Sequence, residues 1–346
     1  MLQKLDVTKN NILNPLASNF DSEITSILTE ALFWDKLHNE EFITPNEFLG
    51  ICHQKEVLRI NFERVMMLVR AYNDFLHDLK GTSNLYLDHL KLLEKKLRPG
   101  FVKIMWSTKP VVIEKFVQIM LEMIHSFHRE VRKFHCSTFH IHRSCQEIAS
   151  TLMIRIDHNL DYKALQFEAI QTEGRNKSRD AVFKLRDDIE IEVNTIFHQF
   201  KHGSEEVLLE WTAQLKRYDD MILASLIKAI RLSLKELVTA VGTAVDVVPL
   251  FSTQAHLENG KIECSPTLIS ITNSANNVVK KTVGLLKGLS TLSKNQESSQ
   301  GNMVFYDAIA SDEIVLNSIV TIMNKMRDCT FSISEKIRHY DKYRPL

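Results

Sequence analysis

Apolar residues recur in steps of three and four over most of the chain. From Ile113 the series runs through Phe116, Met120, Met123, Phe127, Val131, Phe134, Ile141, Cys145, Ile148 and Leu152, with Thr138 in the one polar slot. That spacing predicts one helix with an apolar seam about eleven turns long. A second seam runs Leu208, Trp211, Leu215, Tyr218, Ile222, Leu226, Ile230, Leu234, Leu237 and Val241. A third, shorter one runs Leu58, Phe62, Val65, Val69, Tyr72, Leu76 and Leu79. A helix with one such stripe buries it against neighbours, so the predicted fold class is all-α, an elongated array of long-helix bundles.

Local punctuation supports these helices. Thr44-Pro45-Asn46-Glu47 reads as a capping box with proline at the first helical position. Arg98-Pro99-Gly100 is expected to end a helix that begins near Ser83. Ser204-Glu205-Glu206 starts the helix of the second seam, and Ser311-Asp312-Glu313 starts a last helix reaching Tyr340. Gly174 interrupts the polar stretch from Thr172 to Arg179, which reads as a loop or a helix break. Between Asp246 and Pro266, two prolines and Asn259-Gly260 mark a connection with a short hairpin. Residues 290–302, rich in Ser, Gln, Asn and Lys, read as a mobile linker.

Composition narrows the function classes. The 346 residues carry 43 Lys+Arg against 43 Asp+Glu, so there is none of the basic excess of a dedicated nucleic-acid binder. Gly 10 and Pro 7 make about 5% of the chain, against roughly 12% on average, which argues against sandwiches, barrels and Gly-rich nucleotide folds. No proline lies between Pro110 and Pro249, as long helices require. Cys52, Cys136, Cys145, Cys264 and Cys329 form no CxxC pair, the pattern of free thiols in a reducing compartment. The N-terminus lacks a signal-peptide h-region. The most apolar stretch, Val238 to Phe251, contains Asp246 and Pro249 and is too short to span a bilayer. A cytoplasmic or cytoskeletal protein with no membrane and no nucleic-acid partner is expected.

Motifs that carry chemistry are missing. Gly284-Leu285-Leu286-Lys287-Gly288-Leu289-Ser290 has the wrong spacing for a phosphate-binding loop and no Lys-Ser/Thr after its second glycine. Seven His and Cys residues lie between positions 125 and 145: His125, His128, His135, Cys136, His140, His142 and Cys145. On one helix His128, His135 and His142 sit about 10.5 Å apart, too far to share an ion. Cys136 and His140 could share one, but two ligands do not make a structural site. The stripe is read as solvated or helix-packing, flanking an interhelical contact. Asp187-Asp188 and Asp219-Asp220 read as exposed charge-mixed faces, and Trp106 and Trp211 as core. No catalytic, cofactor-binding or metal residue is assigned, and no cofactor is expected.

The order of local signatures is more specific. Asn19-Phe20-Asp21 is followed by Glu30, Trp34 and Pro45, then Ala71-Tyr72-Asn73, then Leu97-Arg98-Pro99-Gly100-Phe101-Val102-Lys103-Ile104-Met105-Trp106-Ser107. Next come Asp161-Tyr162-Lys163-Ala164-Leu165-Gln166-Phe167-Glu168, Trp211, Ser233-Leu234-Lys235-Glu236-Leu237 and Ser265-Pro266-Thr267-Leu268. The series resembles the tail, or stem, of dynein heavy chains of axonemal type, with spacing closest to inner-arm chains. It departs from that pattern between His38 and Pro45, which is longer, and at Tyr340 and Tyr343, which stand where a tryptophan-bearing pattern is expected.

The resemblance implies a division into four parts. Residues 1–100 would be a first stem bundle and 101–245 a long-helix bundle. Residues 246–302 would hold a connection, a short helix and a polar linker, and 303–346 a C-terminal helix leading toward the remainder of a heavy chain. It also implies a non-catalytic role in assembly with dynein intermediate and light chains and other heavy chains. Anchoring to the axonemal doublet microtubule, in a cilium or flagellum, would be indirect. No ATP or microtubule site is carried over, since the quoted signatures include none from the family's motor ring or stalk. Two other readings stay open: a full ATP-driven motor represented by an incomplete gene model, and a generic helical tether.

Overall fold

The computed structural model describes residues 1–6, 13–21, 23, 26, 46–160, 162–241, 249–258, 261–293 and 305–341. Thr44, Pro45, Asn259, Gly260 and most of the 290–302 stretch lie outside them, as do Glu30, Trp34, Asp161 and Tyr343. Among the described residues the chain is all-α apart from two short strand pairs, the fold class expected from its periodicity. The helices are α1 (Asn46–Asp78), α2 (Leu87–Val102), α3 (Pro110–Ser150), α4 (Ala164–Phe200), α5 (Glu205–Ala240), α6 (Leu268–Val283), α7 (Phe305–Ala310) and α8 (Glu313–Asp341). The strands are β1 (Leu2–Lys4) antiparallel to β2 (Leu16–Ser18), and β3 (Gln254–Glu258) antiparallel to β4 (Lys261–Ser265). No helix of the described residues is long and apolar enough to cross a membrane.

Two compact units divide the chain: residues 1–136 with 196–211, and residues 137–195 with 212–346. In the first, β1 and β2 bury Leu2 and Leu16, while α1 buries Val65, Leu68, Val69, Tyr72 and Phe75. From α2 come Leu90, Leu93 and Leu97, and from α3 Ile113, Val117, Met120, Ile124, Val131 and Phe134. The α3 seam is thus the predicted one shifted in part: Val117 and Ile124 are buried while the predicted Phe116, Met123 and Phe127 are half-buried, because a buried stripe spans more than one row of side chains. Between α1 and α2 the chain turns through Gly81, whose φ of 84° lies in the left-handed region that glycine enters without penalty.

In the second unit, nearly the whole predicted seam of α5 is buried, from Leu215 and Tyr218 through Leu237. Also buried in this unit are Ile141, Cys145 and Ile148 of α3, Val182 and Ile189 of α4, Val278 and Val279 of α6 and Val315 and Ile322 of α8. Such burial stabilises by roughly 25 cal/mol per Å² of apolar surface.

Two boundaries differ from expectation. α2 continues past Pro99 to Val102 because the proline sits in the last turn, where its carbonyl accepts from the N–H groups of Lys103 and Ile104, both at 2.9 Å. Gly174 does not break α4. The polar stretch around it stays helical because its side chains find partners: Arg175 Nη1 donates to the Val278 carbonyl (3.1 Å) and Ser178 Oγ to the Leu152 carbonyl (2.8 Å). The α5 and α8 starts fall where expected. Asp312 caps α8 by accepting from the Val315 N–H (3.0 Å). At α5 the Ser204 hydroxyl makes no hydrogen bond, and its N–H instead donates to Asp88 Oδ2 (2.7 Å).

Candidate functional site

In the first unit the signature residues converge. The Trp106 indole N–H donates to Asn19 Oδ1 (3.1 Å), and its ring meets Phe20 edge-on at 4.6 Å. Phe20 in turn packs on Phe62 of α1 at 4.9 Å. Trp106 is therefore half-buried in an aromatic cluster with one polar tether, the arrangement its amphipathic ring favours. Asn73 binds the β2 backbone twice: the Leu16 N–H donates to Oδ1 (2.8 Å) and Nδ2 donates to the Leu16 carbonyl (3.0 Å). Its neighbour Tyr72 is fully buried, which raises the phenol well above its usual range, with the Glu94 charge adding to the effect. Gly100 is a close approach: a Cβ there would come within 2.8 Å of Leu2 Cδ1 and 2.9 Å of Phe116 Cζ. Trp211, also in this unit, is buried between Phe197 at 5.8 Å and Phe200 at 5.7 Å.

The second unit gathers the later signatures. The Tyr162 N–H donates to the Leu250 carbonyl (2.9 Å), and its hydroxyl accepts from the Asp157 N–H (3.1 Å). Its ring lies 5.4 Å from Phe167, which lies 5.1 Å from Phe251. Glu168 pairs with Lys281 of α6 at 2.7 Å, and this hydrogen bond holds the carboxyl below the usual range. Ser233, fully buried, accepts from the Met153 N–H (2.8 Å) and donates to the Ala229 carbonyl (2.7 Å). Thr267, next to Pro266, caps α6 by accepting from the Ser270 N–H (3.2 Å).

These side chains act as fasteners. Amide and hydroxyl groups satisfy backbone groups, the Trp106 indole meets an amide side chain, and aromatic rings fill the gaps. No nucleophile–base pair appears among the residues just described. Cys145 is buried, which pushes its thiol up to about 11 and keeps it protonated.

The histidine stripe of α3 divides in two ways. His128 pairs with the Asp78 carboxylate (2.5 Å) and His135 Nε2 donates to the Asp78 carbonyl (2.8 Å), so both flank a contact with the end of α1. The His128 hydrogen bond lowers the Asp78 carboxyl. His140 lies 3.1 Å from Glu192 of α4, while His142 is exposed. Among the described residues these imidazoles do not come together with cysteine around one point. The potential ligand side chains that do meet are His256, Glu258 and Glu263, exposed on the β3–β4 hairpin. Two five-residue strands are too short for their alternation to mark the group in the sequence. It shares its face with Lys261, directly opposite Glu258.

Asp219 corrects a sequence expectation. It is buried rather than on an exposed charge-mixed face, and it accepts from the Leu292 N–H (2.7 Å), the Ser293 N–H (3.3 Å) and the Ser293 hydroxyl (2.9 Å). Burial raises its carboxyl despite these donors. It pins residues 292–293, a role that only the tertiary structure reveals. Asp187, Asp188 and Asp220 are exposed, as expected.

Comparison with known proteins points one way. Residues 2–116 match the family described as dynein heavy chain, N-terminal region 1. The chain is similar to the Chlamydomonas reinhardtii dynein-1-beta heavy chain of the flagellar inner arm I1 complex, 21% identical over 94% of this chain and 8% of the relative. It is also similar to human dynein axonemal heavy chain 2, 26% identical over 75% of this chain and 6% of that one. The gamma chain of the Chlamydomonas reinhardtii flagellar outer arm aligns at 20% identity over 94% of this chain and 7% of that protein. The resemblance read from the ordered signatures is thus found again along most of the chain. The chain spans less than a tenth of the length of these relatives.

Proposed function

We propose that this chain is a stem segment of an axonemal dynein heavy chain. Its work is assembly with intermediate and light chains and with other heavy chains, and the anchoring of a motor to the doublet microtubule of a cilium or flagellum. The observation that carries the reading is the coincidence of two facts. The chain aligns over most of its length with relatives named as axonemal or flagellar heavy chains, and in the fold the described signature residues are used as fasteners. Long packed helices suit a part that transmits force without chemistry.

A second reading is favoured by the small share of each relative that the chain covers. In it, these residues are one part of a complete ATP-driven motor whose activity resides elsewhere in the polypeptide. Both readings hold that the 346 residues themselves do not hydrolyse ATP and bind neither nucleic acid nor membrane. The test is twofold. The purified chain is assayed for ATP hydrolysis, where turnover above a buffer blank overturns the non-catalytic assignment. A fluorescent fusion expressed in ciliated cells should concentrate along the axoneme, and a fusion that stays diffuse and leaves with detergent contradicts the stem assignment.

A further inference from the structure

The two parallel helices α1 and α3 of the first unit are clamped at both ends of a shared groove. Arg64 pairs with Glu114 at 2.9 Å at one end, and Asp78 pairs with His128 at the other. Between the clamps lies a cavity of about 560 Å³. α1 presents Met67, Arg70, Ala71 and Asp74 to it, at spacings of three, four and seven from the first. α3 presents Leu121, Arg129 and Arg132, with His125 and His128 beside them. Two facing helical stripes of this kind form a trough with the period of a helix on each wall.

The chemistry of the trough is one-sided. Three arginines line it against one aspartate, Asp74. Asp78 at its end is already bound by His128. The floor is apolar, formed by Met67, Ala71 and Leu121, and Met67 is 57% exposed although it belongs to a helix whose other face is fully packed. Exposed methionine flanked by arginine is the composition enriched at protein interfaces. We propose that this groove docks an acidic amphipathic helix of a partner protein. Apolar residues at spacings of three and four would fill the floor over Met67 and Leu121, and flanking carboxylates would meet Arg70, Arg129 and Arg132. The inference rests on the groove alone and stands or falls separately from the stem assignment.

The test uses the full 346-residue chain and a fluorescein-labelled amphipathic helix of leucine and glutamate, read by fluorescence anisotropy. The same helix with lysine in place of glutamate is the first control. The acidic helix should bind with an affinity that falls as salt rises, and the lysine helix should not bind. Arg70→Glu with Arg129→Glu should weaken binding at least roughly tenfold, because two attractions become repulsions. Both positions are exposed, so the melting temperature should hold. If the double reversal does not fold, Arg70→Gln with Arg129→Gln should still weaken binding. Met67→Gln, which changes no charge, should weaken it as well. Arg179→Glu, in a separate basic cavity on α4, should leave it unchanged. Four results would overturn the proposal: no binding of the acidic helix, equal binding by the reversed variant, an equal loss in Arg179→Glu, or a single-stranded oligonucleotide that binds as tightly as the acidic helix.

Discussion

Replacing Asn73 by alanine should free β2 from α1 without unfolding the unit. β1 and β2 pair through the Asn19 N–H to the Met1 carbonyl (3.0 Å) and the Leu5 N–H to the Pro15 carbonyl (2.9 Å). In an antiparallel ladder this alternation turns the N–H and C=O of Leu16 away from β1. Both meet the Asn73 side chain instead, at 2.8 and 3.0 Å. Leu16 is 1% exposed, so the alanine variant leaves two backbone groups in a largely dry site. An unsatisfied buried group costs roughly 1–3 kcal/mol. Asn73 is itself half-buried, so water can relieve part of the loss. The low end, about 1 kcal/mol per group, gives about 2 kcal/mol in all. That is roughly a 30-fold loss of protection at about 1.4 kcal/mol per factor of ten. The assay is amide hydrogen exchange by mass spectrometry, comparing peptides that cover residues 13–21 with peptides from the interior of α3. Asn73→Asp keeps the acceptor and loses the donor, so it should lie between the two. Protection at Leu16 that changes by less than roughly threefold in Asn73→Ala would refute the reasoning.

Other expectations follow from the same geometry. Gly100→Ala should destabilise by about 1–3 kcal/mol in urea unfolding, since its Cβ would collide with Leu2 and Phe116. Gly174→Ala, with open space around its Cβ inside α4, should instead stabilise by roughly 0.5–1 kcal/mol. Asp312 caps α8 and pairs with Arg231 at 2.5 Å, and the arginine's hydrogen bond holds its carboxyl below the usual range. A depressed carboxyl contributes stability that is present above its unfolded pKa, about 4, and is lost as pH falls through the lower folded value. Asp312→Ala should therefore cost about 1 kcal/mol at neutral pH. The difference from the parent chain should shrink in melts below about pH 4, and a constant difference would contradict this. With iodoacetamide, peptide mapping should show the exposed Cys136 modified well before Cys145, whose buried thiol is pushed up to about 11. The reverse order would contradict the packing of α3.

The long seams were legible because helical periodicity is a local property. Leu215 to Leu237 of α5 could be read from spacing alone, and the buried set in α3 differs from the predicted one by only a few positions. What local reading missed depends on distant partners. The polar run around Gly174 resembles a loop until Arg175 meets Val278 and Ser178 meets Leu152, more than twenty residues away in sequence. Asp219 resembles any helix-surface carboxylate until residues 292–293 fold onto it. The fasteners show the opposite case. Asn19, Asn73, Tyr162 and Ser233 are legible in the sequence only as ordered signatures of a resemblance, with no spacing rule to explain them. The structure supplies the reason, since each satisfies a polar group or fills an aromatic gap between separate elements. The α1–α3 groove was invisible for the same reason. Met67 and Arg70 lie on one helix and Arg129 and Arg132 on another, and no pattern within either stretch announces the pair.

The central claim is that this chain works as an assembled part of an axonemal dynein. Its most direct test is an immunoprecipitation from a high-salt axonemal extract, with an antibody raised against residues 204–242, followed by quantitative mass spectrometry. The account predicts co-recovery of dynein intermediate and light chains in near-stoichiometric amounts. Recovery of the chain with none of these subunits, from an extract in which they are abundant, would contradict it.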